Sequence, residues 1–225
     1  MNRRTYLKTV GVGGVGSLAG CLGGVFTSRP ENVWLDLPEE YDPDTDLPYP
    51  GYGDELPSVS LSAPLADRQV TTTEFDHPTL VTFFFTSCLE VCPALVANLR
   101  AVQVDAAENG YGDQVTFLPI TFDPERDTES TLQAYAERMN VDLATGNWHF
   151  LRPLSAERTR EVVTDAFGVT YQRTESTHSA YEFVHSMVIL LTNAEGYVER
   201  VYRGPNPQAA RIQADLRTLR RRDSS

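Results

Sequence analysis

Two cysteines near the middle of the chain have the residue type and spacing needed for redox or metal chemistry. Cys88 and Cys92 are four positions apart, and Pro93 follows the second of them. If the first turn of a helix already includes both, they share one face with Cα atoms about 6 Å apart. At that separation the thiols can form a disulfide or hold one metal ion. The unpaired N–H groups of a helix N-terminus are expected to stabilise a thiolate and lower the cysteine pKa.

A soft metal ion fits this pair better than a structural role does. A disulfide here would close only a tiny loop and add little stability, and structural zinc normally takes four protein ligands. Two thiolates favour Cu(I), and an added imidazole accommodates Cu(II). Among the histidines, His77 precedes a proline at a strand entrance, and His149 lies beside a tryptophan on a short strand. On spacing alone, His178 in a polar loop and His185 before the apolar run SMVILL are nearly equal candidates for a third ligand.

The cysteines stand at a predicted turn from a strand to a helix. The apolar run Leu80–Phe85 has the length and composition of a buried strand, and a helical apolar pattern extends from about Val91 to Asn109-Gly110. The other predicted elements are a hairpin at 59–72, a strand at 115–122, a helix at 128–140, a short strand at 148–151, a helix at 155–167, strands at 182–191 and 197–202, and a helix from about 207. This order predicts a thioredoxin-like α/β sandwich, a central mixed sheet flanked by helices.

A charged segment follows the strand predicted after the cysteine helix. In Asp123-Pro124-Glu125-Arg126-Asp127-Thr128, the Asp-Pro pair initiates a turn and Asp127 or Thr128 caps the next helix. Local structure therefore explains most of the segment without a function. Asp123 and Arg126 are nevertheless expected near the sheet edge that bears the cysteines.

The N-terminus has the pattern of an export and anchoring signal. Residues 1–20 contain no acidic residue; Arg3–Lys8 resembles a twin-arginine signal, and Leu18–Cys21 resembles a lipoprotein processing box. We expect residues 1–21 to be this signal, with Cys21 lipidated, residues 22–57 to be an acidic Pro/Gly-rich tether, and residues 58–225 to be the folded domain. The alternative is an uncleaved N-terminal anchor. Both interpretations place the domain outside the cytoplasm, held at the cell membrane.

The overall charge argues against nucleic acid as a partner. The chain has a formal net charge of −12 over 225 residues, which repels phosphate backbones. Removal of residues 1–20, which carry Arg3, Arg4 and Lys8 and no acid, changes it to −12 − 3 = −15. Lys8 is the single lysine. An acidic, lysine-poor surface of this kind is typical of proteins from extreme halophiles.

Several motifs together resemble the Sco/SenC family of copper-binding, thioredoxin-fold proteins. The matching pieces are Thr86–Pro93 (TSCLEVCP), Asp123–Thr128 (DPERDT), Trp148 ahead of a strand and Val184-His185-Ser186, in that order. They lie within roughly residues 58–220. Each motif alone is weak evidence, whereas the ordered set is specific.

The resemblance implies a metallochaperone. It implies one copper ion, Cu(I) or Cu(II), bound by Cys88, Cys92 and His185, and assistance in assembling the dinuclear copper centre of cytochrome c oxidase, with a copper-receiving oxidase subunit as the partner. The alternative is a thiol–disulfide oxidoreductase that acts through the two cysteines on exported protein thiols. Two departures stand beside these residues: Ser87 replaces a histidine found in many relatives, and Phe183-Val184 replaces a common Val-Asp pair.

Overall fold

The strand that leads into the cysteine turn lies inside the central sheet. The computed structural model describes residues 29–39, 42, 45–88, 91–175, 181–204 and 207–223. The predicted signal at 1–21 with Cys21, residues 22–28 of the predicted tether and His178 lie outside the described residues. The strands are β1 Ser60–Ala63, β2 Arg68–Thr71, β3 Thr79–Phe84, β4 Thr116–Thr121, β5 Tyr171–Thr174, β6 Glu182–His185, β7 Val188–Thr192 and β8 Val198–Arg203. The helices are α1 Val91–Glu108, α2 Glu129–Arg138, α3 Ala156–Thr159, which continues as a π-helical turn to Ala166, and α4 Ala209–Asp223.

The central sheet has four strands in the order β4-β3-β7-β8. β3 runs parallel to β4 and antiparallel to β7, and β8 is antiparallel to β7. Every residue of β3, β4 and β7 is buried, so these strands are covered on both faces. The predicted thioredoxin-like sandwich with a mixed sheet is confirmed.

Helices cover both faces of this sheet. Successive residues of a strand point to opposite faces, and the neighbouring phenylalanines of β3 illustrate this arrangement. The Phe83 ring contacts Phe167 after α3, at 5.2 Å between ring centroids, whereas the Phe84 ring contacts Tyr135 of α2 at 5.4 Å. α1 packs against α4. The core therefore lies between the sheet and a helical layer on each side.

Two of the predicted strands differ from the structure. Residues 148–151 make only isolated bridges to β4 rather than a strand. The strand predicted at 182–191 is interrupted after His185: β6 pairs with β5 in a separate hairpin, whereas β7 joins the central sheet. The chain changes partner at Ser186, whose N–H donates to the Thr170 carbonyl at 3.0 Å.

The described part of the segment predicted as a tether is packed against the domain. Val33 and Leu35 are buried, and the N–H groups of Trp34 and Leu35 donate to the buried Glu199 carboxylate at 2.7 and 2.8 Å. Further along, Gly168 has φ +65°, and a Cβ there would collide with the carbonyl of Pro48. These described residues of the segment therefore pack on the domain, which the sequence alone does not show. Its apolar residues are scattered along the sequence, but Leu35 and Leu56 belong to the hydrophobic core, and Trp34 and Tyr49 pack against it.

Candidate metal centre

The cysteine turn is built by the end of β3 and the start of α1. Cys88 precedes the helix, and its N–H donates to the Phe85 carbonyl at 3.3 Å. Cys92 lies in the first helical turn, and its N–H donates to Cys88 Sγ at 3.4 Å. Only the second cysteine is helical, so the first one acts as an acceptor for the helix N-terminus. The two cysteines are not joined in a disulfide; Cys88 is half-buried and Cys92 is buried.

His185, at the end of β6, faces this pair. Its Nε2 lies 3.4 Å from Cys92 Sγ, and its Nδ1 lies 3.0 Å from the Ser186 carbonyl oxygen. A carbonyl only accepts, so Nδ1 carries the proton and the lone pair of Nε2 points toward the sulfur. Metal-binding histidines are oriented in this way by a carbonyl or carboxylate on the other nitrogen.

The other described histidines lie elsewhere. His77 Nε2 is 2.8 Å from the Thr116 hydroxyl, at the opposite end of β4 from the cysteine turn. His149 is buried, and its ring stacks on Phe75 at 5.9 Å between centroids. Among the described contacts, neither histidine touches the cysteine pair. Spacing alone had left His185 and His178 nearly equal.

Burial sets the protonation of the site. The Cys92 thiol shares a hydrogen bond with Cys88 and is desolvated, and these effects raise its pKa far above the ordinary value. The expectation that the helix N-terminus lowers the cysteine pKa is therefore wrong for Cys92. Burial lowers the pKa of His185, which keeps its imidazole neutral and able to act as a ligand. Binding a metal ion would release the thiol protons.

An aromatic cluster surrounds the imidazole. The His185 ring lies 4.8 Å from the Phe122 ring and 6.3 Å from the Phe85 ring, between centroids. Phe183 contacts both phenylalanines edge-on. These rings make the inner wall of the site apolar, while the half-buried Cys88 lies toward its open side.

A buried carboxylate joins the cysteine turn to the loop after β4. Asp127 is fully buried and accepts hydrogen bonds from the Thr86 N–H and hydroxyl and from the Thr121 hydroxyl. Burial raises its pKa, and these hydrogen bonds oppose the shift. The sequence suggested Asp127 or Thr128 as the cap of α2. Thr128 is the cap, and Asp127 holds the cysteine turn instead.

Arg138 is a second support for the turn that the sequence did not indicate. Its guanidinium donates to the Thr86 carbonyl at 3.1 Å and lies over the Tyr135 ring, 4.8 Å from the centroid. It occupies the exposed end of an amphipathic helix, where arginine is common. Only the fold brings it to the turn.

The described side chains do not make a closed metal site. Among them, no three His, Cys, Asp or Glu residues already stand together at coordinating distances. The two sulfurs and Nε2 nevertheless supply a soft, three-donor set of the kind that suits copper. Within the same part of the chain, no helix is long and apolar enough to cross a membrane.

The fold and this site define a class, the thioredoxin-like proteins with a cysteine pair at the first strand-to-helix turn. Within this class, the protein also has a histidine, His185, opposite the cysteine pair. The sequence model of the SCO1/SenC family matches residues 65–221. The chain belongs to the SCO1/SenC family.

Solved structures of Sco proteins share the fold. A SCO1/SenC family lipoprotein from Bacillus anthracis is 24% identical, with a TM-score of 0.61 over 74% of this chain and 95% of its own. Arabidopsis thaliana ScoI with copper bound is 24% identical, with a TM-score of 0.59 over 76% and 99%. BsSco, described as carrying a disulfide switch and as a member of a family of cytochrome c oxidase assembly proteins, is 20% identical, with a TM-score of 0.59 over 76% and 95%.

Curated relatives match over part of their length. The SCO2-like protein of Rickettsia typhi is 28% identical over 133 residues, which are 56% of this chain and 59% of the relative. The chain thus spans less than two thirds of the relatives it matches first.

Proposed function

We propose that the protein is a membrane-tethered extracytoplasmic copper chaperone that binds one copper ion through Cys88, Cys92 and His185. Membership of the SCO1/SenC family supports copper as the cargo, as does the copper-bound Arabidopsis relative. The N-terminal signal pattern and the lipoprotein relative from Bacillus anthracis support the membrane location. The copper-receiving subunit of cytochrome c oxidase is the proposed partner.

The observation that carries the proposal is the orientation of His185. Its Nε2 faces the Cys92 sulfur at 3.4 Å while its Nδ1 is held by a backbone carbonyl. A protein that used the cysteine pair only for disulfide exchange would not need an oriented imidazole beside the buried thiol. With the imidazole, the donor set accommodates Cu(II) as well as Cu(I).

The difference in exposure between the thiols suits the release of the ion. Cys88 is half-buried, whereas Cys92 is buried behind it. A partner thiolate can approach at the Cys88 side and displace that sulfur first, while Cys92 and His185 still hold the copper ion. A site with few ligands therefore exchanges its cargo stepwise. Oxidation of the pair to a disulfide would abolish the site.

The test is copper stoichiometry on the reduced full-length chain. A Cys21→Ser background leaves Cys88 and Cys92 as the only thiols, and the N-terminal segment must be retained because its described residues pack on the domain. We expect one copper ion per chain, with sulfur-to-Cu(II) charge transfer in the absorption spectrum. Cys88→Ser and His185→Ala should each weaken retention by more than the roughly 10–100-fold typical of losing an outer-shell partner. Copper binding that is equal in all three proteins would refute the ligand set.

The second candidate is a thiol–disulfide oxidoreductase. Two neighbouring cysteines that are not joined in a disulfide favour it, and BsSco is described as carrying a disulfide switch. His185→Ala separates the two functions, because it removes a copper ligand without touching either thiol. If that variant keeps full function in supporting its partner while copper retention is lost, the oxidoreductase is the better account.

A further inference from the structure

The hairpin that carries His185 is not part of the central sheet. β5 and β6 form a two-stranded sheet of their own, and the chain leaves it for β7 directly after His185. In the part of the chain that the structure describes, no sheet hydrogen bond joins this hairpin to the central sheet. Side-chain contacts therefore fasten the hairpin to the rest of the fold.

Tyr181, the residue before β6, makes the most specific of these contacts. It is 7% exposed, and its hydroxyl donates to Asp123 Oδ1 at 2.8 Å. Its ring lies between two guanidinium groups: Arg126 is 3.7 Å from the ring centroid and Arg173 is 3.4 Å from it. Arg173 belongs to β5, whereas Asp123 and Arg126 belong to the loop after β4. The tyrosine therefore joins both strands of the hairpin to that loop.

The charges around the ring are matched on both sides. Arg126 pairs with Asp123 through its Nε and donates from Nη1 to the Tyr181 carbonyl at 2.9 Å. Arg173 lies 3.9 Å from Glu125. Two cations can lie against one ring because a carboxylate accompanies each, and the ring quadrupole attracts both.

The loop that receives the tyrosine is itself tied to the cysteine turn. Asp127, four residues after Asp123, accepts the hydrogen bonds from Thr86 described above. One connected set of contacts thus runs from the hairpin through Asp123–Asp127 to the turn that carries Cys88. The two halves of the site thus have this support in common.

We infer that Tyr181 is a positioning residue that holds the β5–β6 hairpin so that His185 Nε2 faces Cys92. The inference rests on the proposed function in one respect, the role of His185 as a copper ligand. Tyr181 itself is not one of the proposed copper ligands. Its effect on copper passes through the orientation of the hairpin.

The experiment compares Tyr181→Phe, Tyr181→Leu and a matched control in the full-length Cys21→Ser chain. The control is Tyr202→Phe, which removes a hydroxyl that also donates to a carboxylate at 2.8 Å, that of Asp215, on β8 and away from the site. We expect Tyr181→Phe to lower Cu(II) affinity about 10-fold and Tyr181→Leu to lower it by about 100-fold, as for other partners that orient a ligand. Charge-transfer bands should shift in both, and the control should retain wild-type affinity and spectrum.

A second measurement needs no copper. Amide hydrogen exchange of residues 171–174 and 183–185 in the reduced apoprotein reports how firmly the hairpin is held. Faster exchange there in Tyr181→Leu, with unchanged exchange in β3 and β7, supports the inference even if the wild-type chain fails to retain copper and the proposed function falls. The inference would be overturned if the hairpin amides of Tyr181→Leu exchanged at the wild-type rate. It would also be overturned if both Tyr181 variants bound copper as the wild type does. If Tyr181→Leu loses protection throughout the protein, the same measurements on Tyr181→Phe decide the question, because that variant keeps the ring between the arginines.

Discussion

At the residue scale, the site depends on a few atoms whose partners lie far away in sequence. His185 and Cys92 are 93 residues apart and face each other at 3.4 Å. Asp127 reaches back 41 residues to Thr86. The histidine and the aspartate are each held by a second contact, His185 by the Ser186 carbonyl and Asp127 by the Thr121 hydroxyl. Pre-organised ligands of this kind lose little freedom when a metal ion binds.

His149 offers a prediction about acid stability at the same scale. It is buried, and its Nδ1 has no hydrogen-bond partner among the described residues. Desolvation lowers its pKa, helped by nearby Arg68 and opposed by Glu74. Since the folded pKa lies below the unfolded value of about 6.5, the unfolded chain takes up the proton first. The free energy of unfolding should therefore fall as the pH drops below about 6.5 and level off below the folded pKa.

Urea unfolding of the reduced chain at a series of pH values measures this effect. His149→Phe can keep the stacking on Phe75 and cannot be protonated, so its unfolding midpoint should fall less between about pH 7 and about pH 5.5. Burial also lowers the pKa of His185, so a smaller decline of the unfolding midpoint remains in the variant. An equal decline in both proteins would show that His149 stays solvated.

At the element scale, the sequence predicted the central elements well and the attached ones poorly. β3, β4 and α1 were found because their apolar residues form continuous or helical patterns. The β5–β6 hairpin was missed because β6 runs almost directly into β7, which makes the two strands a single apolar stretch in the sequence. The role of Asp127 was missed because a capping aspartate and a buried one look alike without the fold.

The N-terminal segment is another attached element that the sequence predicts poorly, and its contribution to stability can be tested. Its buried side chains, Val33, Leu35, Tyr52 and Leu56, have no periodicity, so the sequence suggested a tether. A chain that begins at residue 58 would lose their burial, worth about 1.5–3 kcal/mol for each apolar side chain, and would leave the Glu199 carboxylate buried without the Trp34 and Leu35 N–H groups.

We expect this truncation to lower the free energy of unfolding by about 3 kcal/mol or more, because the ordering entropy of the segment offsets only part of the loss. Denaturant midpoints measure the change. The control is a chain that begins at residue 22, which keeps every described residue of the segment and should match the full-length protein. If the chain from residue 58 has an unchanged midpoint, the segment does not contribute to the core in solution.

At the scale of the whole molecule, charge is the dominant feature. The mature chain, as proposed, has a formal charge of −15, obtained above from the −12 of the full sequence. Repulsion between carboxylates opposes folding into a small volume, and salt screens it over a Debye length of about 10 Å at 0.1 M and about 3 Å at 1 M. The few surface ion pairs lose strength under the same screening, but each contributes only about 0–1 kcal/mol.

The urea midpoint should therefore rise as KCl increases from about 0.1 M to about 1 M, the opposite of what a protein held together by ion pairs would do. The matched variant is Glu39→Gln with Glu108→Gln, two exposed acids whose replacement reduces the repulsion without touching the core. Its midpoint should be higher at low salt and rise less steeply. A wild-type midpoint that falls with salt would contradict the halophile interpretation, because attraction rather than repulsion would then dominate the surface. A rise of equal size in both proteins would assign the salt effect to the exclusion of ions from apolar surface.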